Sequence, residues 1–460
     1  MTPLARPAPA GLHSSIAAAV ASRGAHCIDP RARCAPLSMA MPTGRRRARP
    51  GRWPQRLREW GAHIAAGLML GGAAVLGGCA SSAGPTAFRA PAPDGTGDLG
   101  VVIERGTGSV SLINTSGMQA LGRIDGLGDL SHASVVFSRD GGHAYVFGRD
   151  GALTKVSLIE RRIEARVQQA GNSIGGAISA DGTLVAAQNY TPGGIKVFDA
   201  RTLERVADIP AEYAPGKLSR VVGLADLPGR RFIYSLFDAD QIWIADLSDR
   251  QQPKLTKFTG VGRQPYDALV TPDGRHYIAG LFGEDGLAMI DLWAPQPQVR
   301  RILSGYGRGQ EPLPVFKMPH LRGWAVAGRQ AWLPAIGRHE VLIVDTETWA
   351  EVGRVPVAGQ PVFVMARPDG RQVWVNFAVP DYDRVQVIDT QTRQVLTTLT
   401  PGAAVLHMEF TPRGDAVWIS SRDANRVSVI DTATFATLKT LEMPAPSGIF
   451  FTSRAARMGF

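Results

Sequence analysis

Six side chains have the chemistry to act together on one ligand: His132, His320, Arg149, Arg220, Arg338 and Asp240. An imidazole can ligate a metal or move a proton near neutral pH. A guanidinium grips a carboxylate with two parallel hydrogen bonds. A carboxylate can take or return a proton in a reaction. These residues are scattered along the chain, so only a fold that returns repeatedly to one place can gather them. The chain has no HExxH, GxSxG, Walker or zinc-finger pattern. Gly305-Tyr-Gly-Arg-Gly309 is glycine-rich but does not lead from a strand into a helix, which makes it a poor dinucleotide fingerprint.

Internal repeats supply such a fold. One unit is an apolar strand, a turn of the form x-x-Asp-Gly, and a second strand. Its turns are Ser138-Arg-Asp-Gly141, Ser179-Ala-Asp-Gly182, Asp226-Leu-Pro-Gly229, Thr271-Pro-Asp-Gly274, Ala325-Val-Ala-Gly328, Arg367-Pro-Asp-Gly370 and Thr411-Pro-Arg-Gly414. Glycine there supplies the positive φ of a tight strand-to-strand turn. A second unit alternates apolar residues and ends on an acid, as in Ile195-Lys-Val-Phe-Asp199, Val341-Leu-Ile-Val-Asp345 and Val427-Ser-Val-Ile-Asp431. The period of two and the β-branched residues predict strands. Four short strands about every 45 residues are the pattern of a propeller blade. Eight copies predict an all-β, eight-bladed β-propeller over residues 97–460, with seven blades as the alternative if one copy is misread. Gly448-Ile-Phe-Phe-Thr452 is expected to supply the inner strand of the first blade and close the ring.

The repeat register also predicts a face. If the x-x-Asp-Gly turns lie at the bottom of the inner strands, the strand entries six residues earlier ring the top of the channel. That column reads His132, Ser173, Arg220, Pro265, Pro319, Pro361, Val405 and Ser447, with His320 beside it. Loops after the second strands return to the same face and bring Arg149-Asp150, Asn189-Tyr190, Asp238-Ala-Asp240, Arg338-His339 and Arg422-Asp423. A mouth carrying imidazoles, guanidiniums, aromatics and carboxylates is where a ligand is expected. For any one of them, a strand-end hydrogen bond or an ion pair between blades is the plainer expectation. His407 lies within an inner strand and has no role assigned by position alone.

The whole chain carries a formal charge of +10, which on its face suggests a nucleic-acid or membrane binder. The charge is local. Residues 1–78 hold 11 bases and two acids, and 79–460 is left at +1. No nucleic-acid partner is expected. The basic stretch precedes an uncharged apolar run from Ile64 to Leu76, which is too short for a comfortable membrane span but suits a signal peptide. The run ends in Leu76-Gly77-Gly78-Cys79, which resembles a lipoprotein lipobox. Residues 1–78 therefore read as leader and lipoprotein signal, 79–96 as a Pro/Gly-rich tether, and Cys79 as the lipidation site of a periplasmic, membrane-anchored protein. Cys27, Cys34 and Cys79 make no disulfide framework.

Several stretches at the mouth resemble one family in combination. They are Gly95-Thr-Gly-Asp-Leu-Gly100, Asp129-Leu-Ser-His-Ala-Ser134 with Ser138-Arg-Asp-Gly141, Phe147-Gly-Arg-Asp-Gly151, Ser235-Leu-Phe-Asp-Ala-Asp240 and Lys317-Met-Pro-His-Leu-Arg-Gly-Trp324. Together they resemble the NirF family of haem d1 biosynthesis proteins, related to the eight-bladed haem-d1 domain of dissimilatory nitrite reductase. The resemblance implies binding of haem d1 or a precursor tetrapyrrole, whose iron suits an imidazole and whose carboxylates suit arginine. It implies His132, followed by Gly148-Arg149-Asp150, as iron ligand or substrate-facing base. Arg149, Arg220 and Arg338 become carboxylate partners, and His320 or Asp240 a proton donor or acceptor.

The implied activity is a late modification such as side-chain dehydrogenation. The alternative is a non-catalytic carrier delivering the tetrapyrrole to partners, among them other haem d1 biosynthesis proteins or nitrite reductase. A generic propeller enzyme or interaction module is the third reading. The sequence names no electron acceptor. It has no CxxCH, so the c-type haem that feeds the reductase has no counterpart in it, and nitrite reduction by this chain alone is not expected.

Overall fold

The computed structural model describes residues 95–307, 323–335 and 338–457. The chain divides into Met1–Ser82 and Ala83–Phe460, and the described residues all belong to the second unit. They form eight four-stranded antiparallel sheets, which are the eight blades of a propeller. No described helix is long and apolar enough to cross a membrane.

The ring closes as the repeats predict. Blade 1 takes three strands from the start of the domain, Leu99–Glu104, Ser109–Asn114 and Gln119–Ile124, and its inner strand from the end, Pro446–Phe451. Val102 pairs with Ile449 across that seam. Blade 2 spans Ser134–Gln168, blade 3 Asn172–Ile209 and blade 4 Val221–Thr259. Blade 5 spans Pro265–Ile302, blade 6 Ala325–Pro356, blade 7 Pro361–Leu399 and blade 8 Val405–Glu442. A small hairpin, Glu212–Ala214 with Lys217–Leu218, is inserted between blades 3 and 4. The glycines of the repeated turns hold positive φ, for example 67° at Gly141 and 73° at Gly274, as the turn chemistry requires.

The core lies between blades. Trp332, Trp374 and Trp418 occupy the same place on the second strands of blades 6, 7 and 8, and all are fully buried. Trp332 packs with Val364 and Val375 of blade 7, Trp374 with Met408 and Phe410 of blade 8, and Trp418 with Ile449 and Phe451 of blade 1. Each such ring locks one blade to the next, and truncating one to alanine would cost about 3–5 kcal/mol. Burial decreases outward: the outer strand of blade 8, Thr437–Glu442, is almost wholly exposed. The rigid inner strands are thus left to line the channel.

Candidate functional site at the channel mouth

The inner strands share a device near their entries. The register slips by a residue between Val222 and Ala225, Pro265 and Ala268, Pro361 and Val364, and Val405 and His407. Blade 3 is irregular at the same height, between Ser173 and Gly175, as is the closing strand opposite Val102 to Glu104. A bulge re-aims side chains that a regular strand would alternate. Buried polar groups satisfy the displaced backbone. Asn376 accepts from the Phe363 amide at 2.9 Å, Ser420 Oγ from the His407 amide at 3.0 Å, and Gln188 from the Leu224 amide at 3.0 Å. Gly223, with φ of 62°, has no room for a side chain: a Cβ would lie 2.8 Å from Ala268 Cβ.

On the side of blades 2 to 5, these bulges and the neighbouring loops build a cationic aromatic cluster. The Tyr190 and Tyr266 hydroxyls are 2.8 Å apart. Tyr266, Phe237 and Phe282 form a set of tilted and edge-on rings with centroids 5.6–5.9 Å apart. Burial raises both phenols above their ordinary pKa, Tyr266 very far, so both are protonated at physiological pH. The Arg220 guanidinium lies 4.3 Å from the Phe237 ring centroid and makes a two-pronged pair with Asp238. That hydrogen bonding raises Arg220; burial opposes ionisation of Asp238, but the Arg220 bonds still hold it below its ordinary value. Arg149 lies over Tyr190 at 5.9 Å.

His132 sits in an exposed turn just before the inner strand of blade 2. Its loop is anchored from both sides: the Arg149 amide donates to the Asp129 carbonyl at 2.8 Å, and the Ser131 amide to Asp129 Oδ1 at 2.8 Å. Arg105 enters the mouth from blade 1. Burial, with the nearby Arg422 guanidinium, lowers its pKa, and the carboxylates of Asp129 and Asp423 partly offset this. Among the described residues neither Arg105 nor Arg149 closes a direct ion pair, although both charges act on the Asp129 carboxylate. Two such guanidiniums make the mouth receptive to anions.

Farther along the inner strands, His407 lies between Phe363, at 6.3 Å, and Phe450, at 5.5 Å. Its Nδ1 accepts from the Ile449 amide at 3.3 Å, so the neutral ring carries its proton on Nε2. Burial, helped by the charge of Arg454, pushes its pKa down to about 3 and keeps it neutral.

The residues singled out in the sequence fall into three groups. Arg149, Arg220 and His132 come to the mouth. Asp240, in a left-handed turn with φ of 55°, accepts from the Gln264 amide at 2.8 Å and so fixes the approach to Tyr266. Arg338 does not join Arg149 and Arg220: it reaches the Gly305 carbonyl at 3.4 Å and lines a peripheral cavity of about 210 Å³ between blades 5 and 6, with Tyr306, Glu351 and Arg354. His320 and Cys79 lie outside the described residues. Sequence reasoning missed Arg105, Tyr266, Phe282 and Phe363. Two of them were close by: the column named Pro265, one residue before Tyr266, and Pro361, two residues before Phe363, and each strand bulges just there.

Residues 94–455 match the family model described as the cytochrome D1 heme domain. The chain is 63% identical to the protein NirF of Stutzerimonas stutzeri over 79% of its own length and 94% of the relative's. It is 60% identical to the protein NirF of Pseudomonas aeruginosa with the same coverage. Among solved structures it resembles the dihydro-heme d1 dehydrogenase NirN in complex with DHE. There the TM-score is 0.69 at 25% identity, covering 78% of this chain and 76% of the other.

Proposed function

Because the chain belongs to the NirF family and carries the cytochrome D1 heme domain, we propose that it binds a late tetrapyrrole precursor of haem d1 at the propeller mouth and acts on it. A role in haem d1 biosynthesis follows from the family. The observation that carries the binding reading is a guanidinium, Arg149, over the Tyr190 ring of an aromatic cluster that also carries Arg220, with Arg105 a further cation of the mouth. A flat, largely apolar macrocycle with peripheral carboxylates matches that combination. His132 offers an imidazole to the iron of this substrate, and Arg220 a further guanidinium to its carboxylates.

The step we favour is a late side-chain modification, in line with the dehydrogenase name of the structural relative. A dehydrogenation removes two electrons and two protons, so its assay must contain a two-electron acceptor. Delivery without chemistry is the competing outcome. Single-turnover incubation with dihydro-haem d1 and an artificial acceptor separates them. A product lighter by two hydrogens supports catalysis. Unchanged mass with transfer to apo-nitrite reductase makes the protein a carrier. Failure to bind any tetrapyrrole removes both readings. Within a protein that binds, His132→Ala is expected to shift the Soret band, and an unchanged band removes His132 from the iron.

We further propose that the protein works in the periplasm, held to a membrane by lipid on Cys79. The leader, the apolar run and the Leu76-Gly77-Gly78-Cys79 sequence support this. Cys79→Ala is expected to move the protein out of the membrane fraction and to abolish labelling by radioactive fatty acid; labelling that persists removes Cys79 as the anchor.

A further inference from the structure

Beyond the ring's last inner strand, the chain crosses the turn face of the propeller. After the closing strand, Thr452–Ala456 forms a short 3-10 segment. Thr452 Oγ1 donates to the Leu99 carbonyl at 2.9 Å. Arg139, in the bottom turn of blade 2, donates to the Ala455 carbonyl at 2.7 Å. The same guanidinium reaches the Ser179 carbonyl of blade 3 at 2.7 Å and Asp226 of blade 4 at 3.3 Å. One arginine therefore spans the lower end of the channel and holds the segment beneath it.

Arg454 points from this segment toward the inner strands. It makes a two-pronged pair with Glu409 of blade 8, with Nε 2.7 Å from Oε1. Both side chains are largely buried, at 16% and 5% exposure. The Arg454 guanidinium lies 5.4 Å from the Phe450 ring centroid. Phe450 in turn packs against His407 with tilted rings, and His407 also meets Phe363 edge-on. A continuous chain of contacts thus runs from the C-terminal segment, through Arg454 and Phe450, to His407 and Phe363 on the inner strands.

A buried ion pair is a weak source of stability, because desolvation offsets most of the attraction. What it fixes well is geometry, since two parallel hydrogen bonds allow one orientation. We propose that Arg454, locked by Glu409, is a positioning residue: it props Phe450 and His407 from below and so sets the depth and tilt at which the flat substrate seats. The inference rests on the reading that a tetrapyrrole enters the mouth. It adds that the C-terminal segment belongs to the binding apparatus, although it lies on the opposite face.

The test compares the wild type with Arg454→Met/Glu409→Leu, which replaces the pair by apolar side chains and leaves no charge stranded. The variant is expected to melt at or above the wild-type temperature. It is also expected to bind dihydro-haem d1 about tenfold more weakly, with a displaced Soret band. A variant that folds and binds with unchanged affinity and spectrum overturns the proposal. A second measurement needs no mutation: hydrogen exchange in residues 452–457 of the wild type should slow when dihydro-haem d1 binds, and unaltered exchange with the ligand demonstrably bound also overturns it. If the wild type binds no tetrapyrrole, the binding reading itself fails, and this inference with it.

Discussion

The hydroxyls of Tyr190 and Tyr266 meet at 2.8 Å although one belongs to blade 3 and the other to blade 5. The bond bridges the entry of blade 4, where Arg220 stands, and holds two phenols that burial keeps protonated.

Removing one hydroxyl should leave the other without its partner. Tyr266→Phe is expected to lose about 1–2 kcal/mol of stability, whereas Tyr190→Phe/Tyr266→Phe should lose less than the sum of the single changes. Urea melts of the two single variants and the double variant give the coupling directly. Additive losses would show that the bond contributes nothing.

Arg220 differs from Arg105 and Arg149 because Asp238 already holds it. The pair is half-exposed, so its own stability contribution is small. Its value is orientation of a flat guanidinium over Phe237. Arg220→Lys keeps the charge but loses the fork, so it is expected to weaken tetrapyrrole binding nearly as much as Arg220→Gln does, on the order of tenfold. A Lys variant that binds like the wild type would reduce Arg220 to a point charge. Absorbance titration measures both.

Much of this architecture was legible in the chain. Asp-Gly favours a tight turn with positive φ at the glycine, so Gly141, Gly182, Gly274 and Gly370 announced blades from local chemistry alone. The closing strand was legible because Gly448–Thr452 had no blade of its own. The mouth was legible only as a ring of positions. Pro265 and Pro361 were named, whereas Tyr266, one residue on, and Phe363, two residues on, carry the ring contacts, because each strand bulges there and no local signal in the sequence marks it. Arg338 was grouped with Arg149 from its loop position, but the direction of a loop arginine is set by its neighbours, here the Gly305 carbonyl. Arg454 and Glu409 are 45 residues apart and meet only because the ring closes.

Asp240 offers a choice between two roles. As a proton donor or acceptor it would need its carboxyl, and Asp240→Asn would abolish turnover. Its bond to the Gln264 amide needs only an acceptor oxygen, and its left-handed backbone suits Asn. Asp240→Asn is therefore expected to retain binding and any turnover. Asp240→Ala should lose about 1–2 kcal/mol and weaken binding through Tyr266. An inactive but well-folded Asn variant would return Asp240 to the chemistry.

His407 gives the domain a pH signature. Its pKa is about 3 in the folded protein, against an ordinary value of about 6.5 in the unfolded chain. Between those values the unfolded chain binds the extra proton and the folded one does not, so stability rises with pH. The contribution is complete above about pH 6.5 and is lost as the pH falls toward 3. The nearby charge of Arg454 disfavours the imidazolium, while Glu409 remains engaged with Arg454. His276, also lowered by burial, contributes in the same direction and serves as background. His407→Gln removes the titration but keeps a polar side chain. From pH 6.5 to 5, where carboxylates stay ionised in both states, the wild type should lose stability more steeply than His407→Gln. Parallel melting curves across that window would mean that the ring is solvated and charges freely.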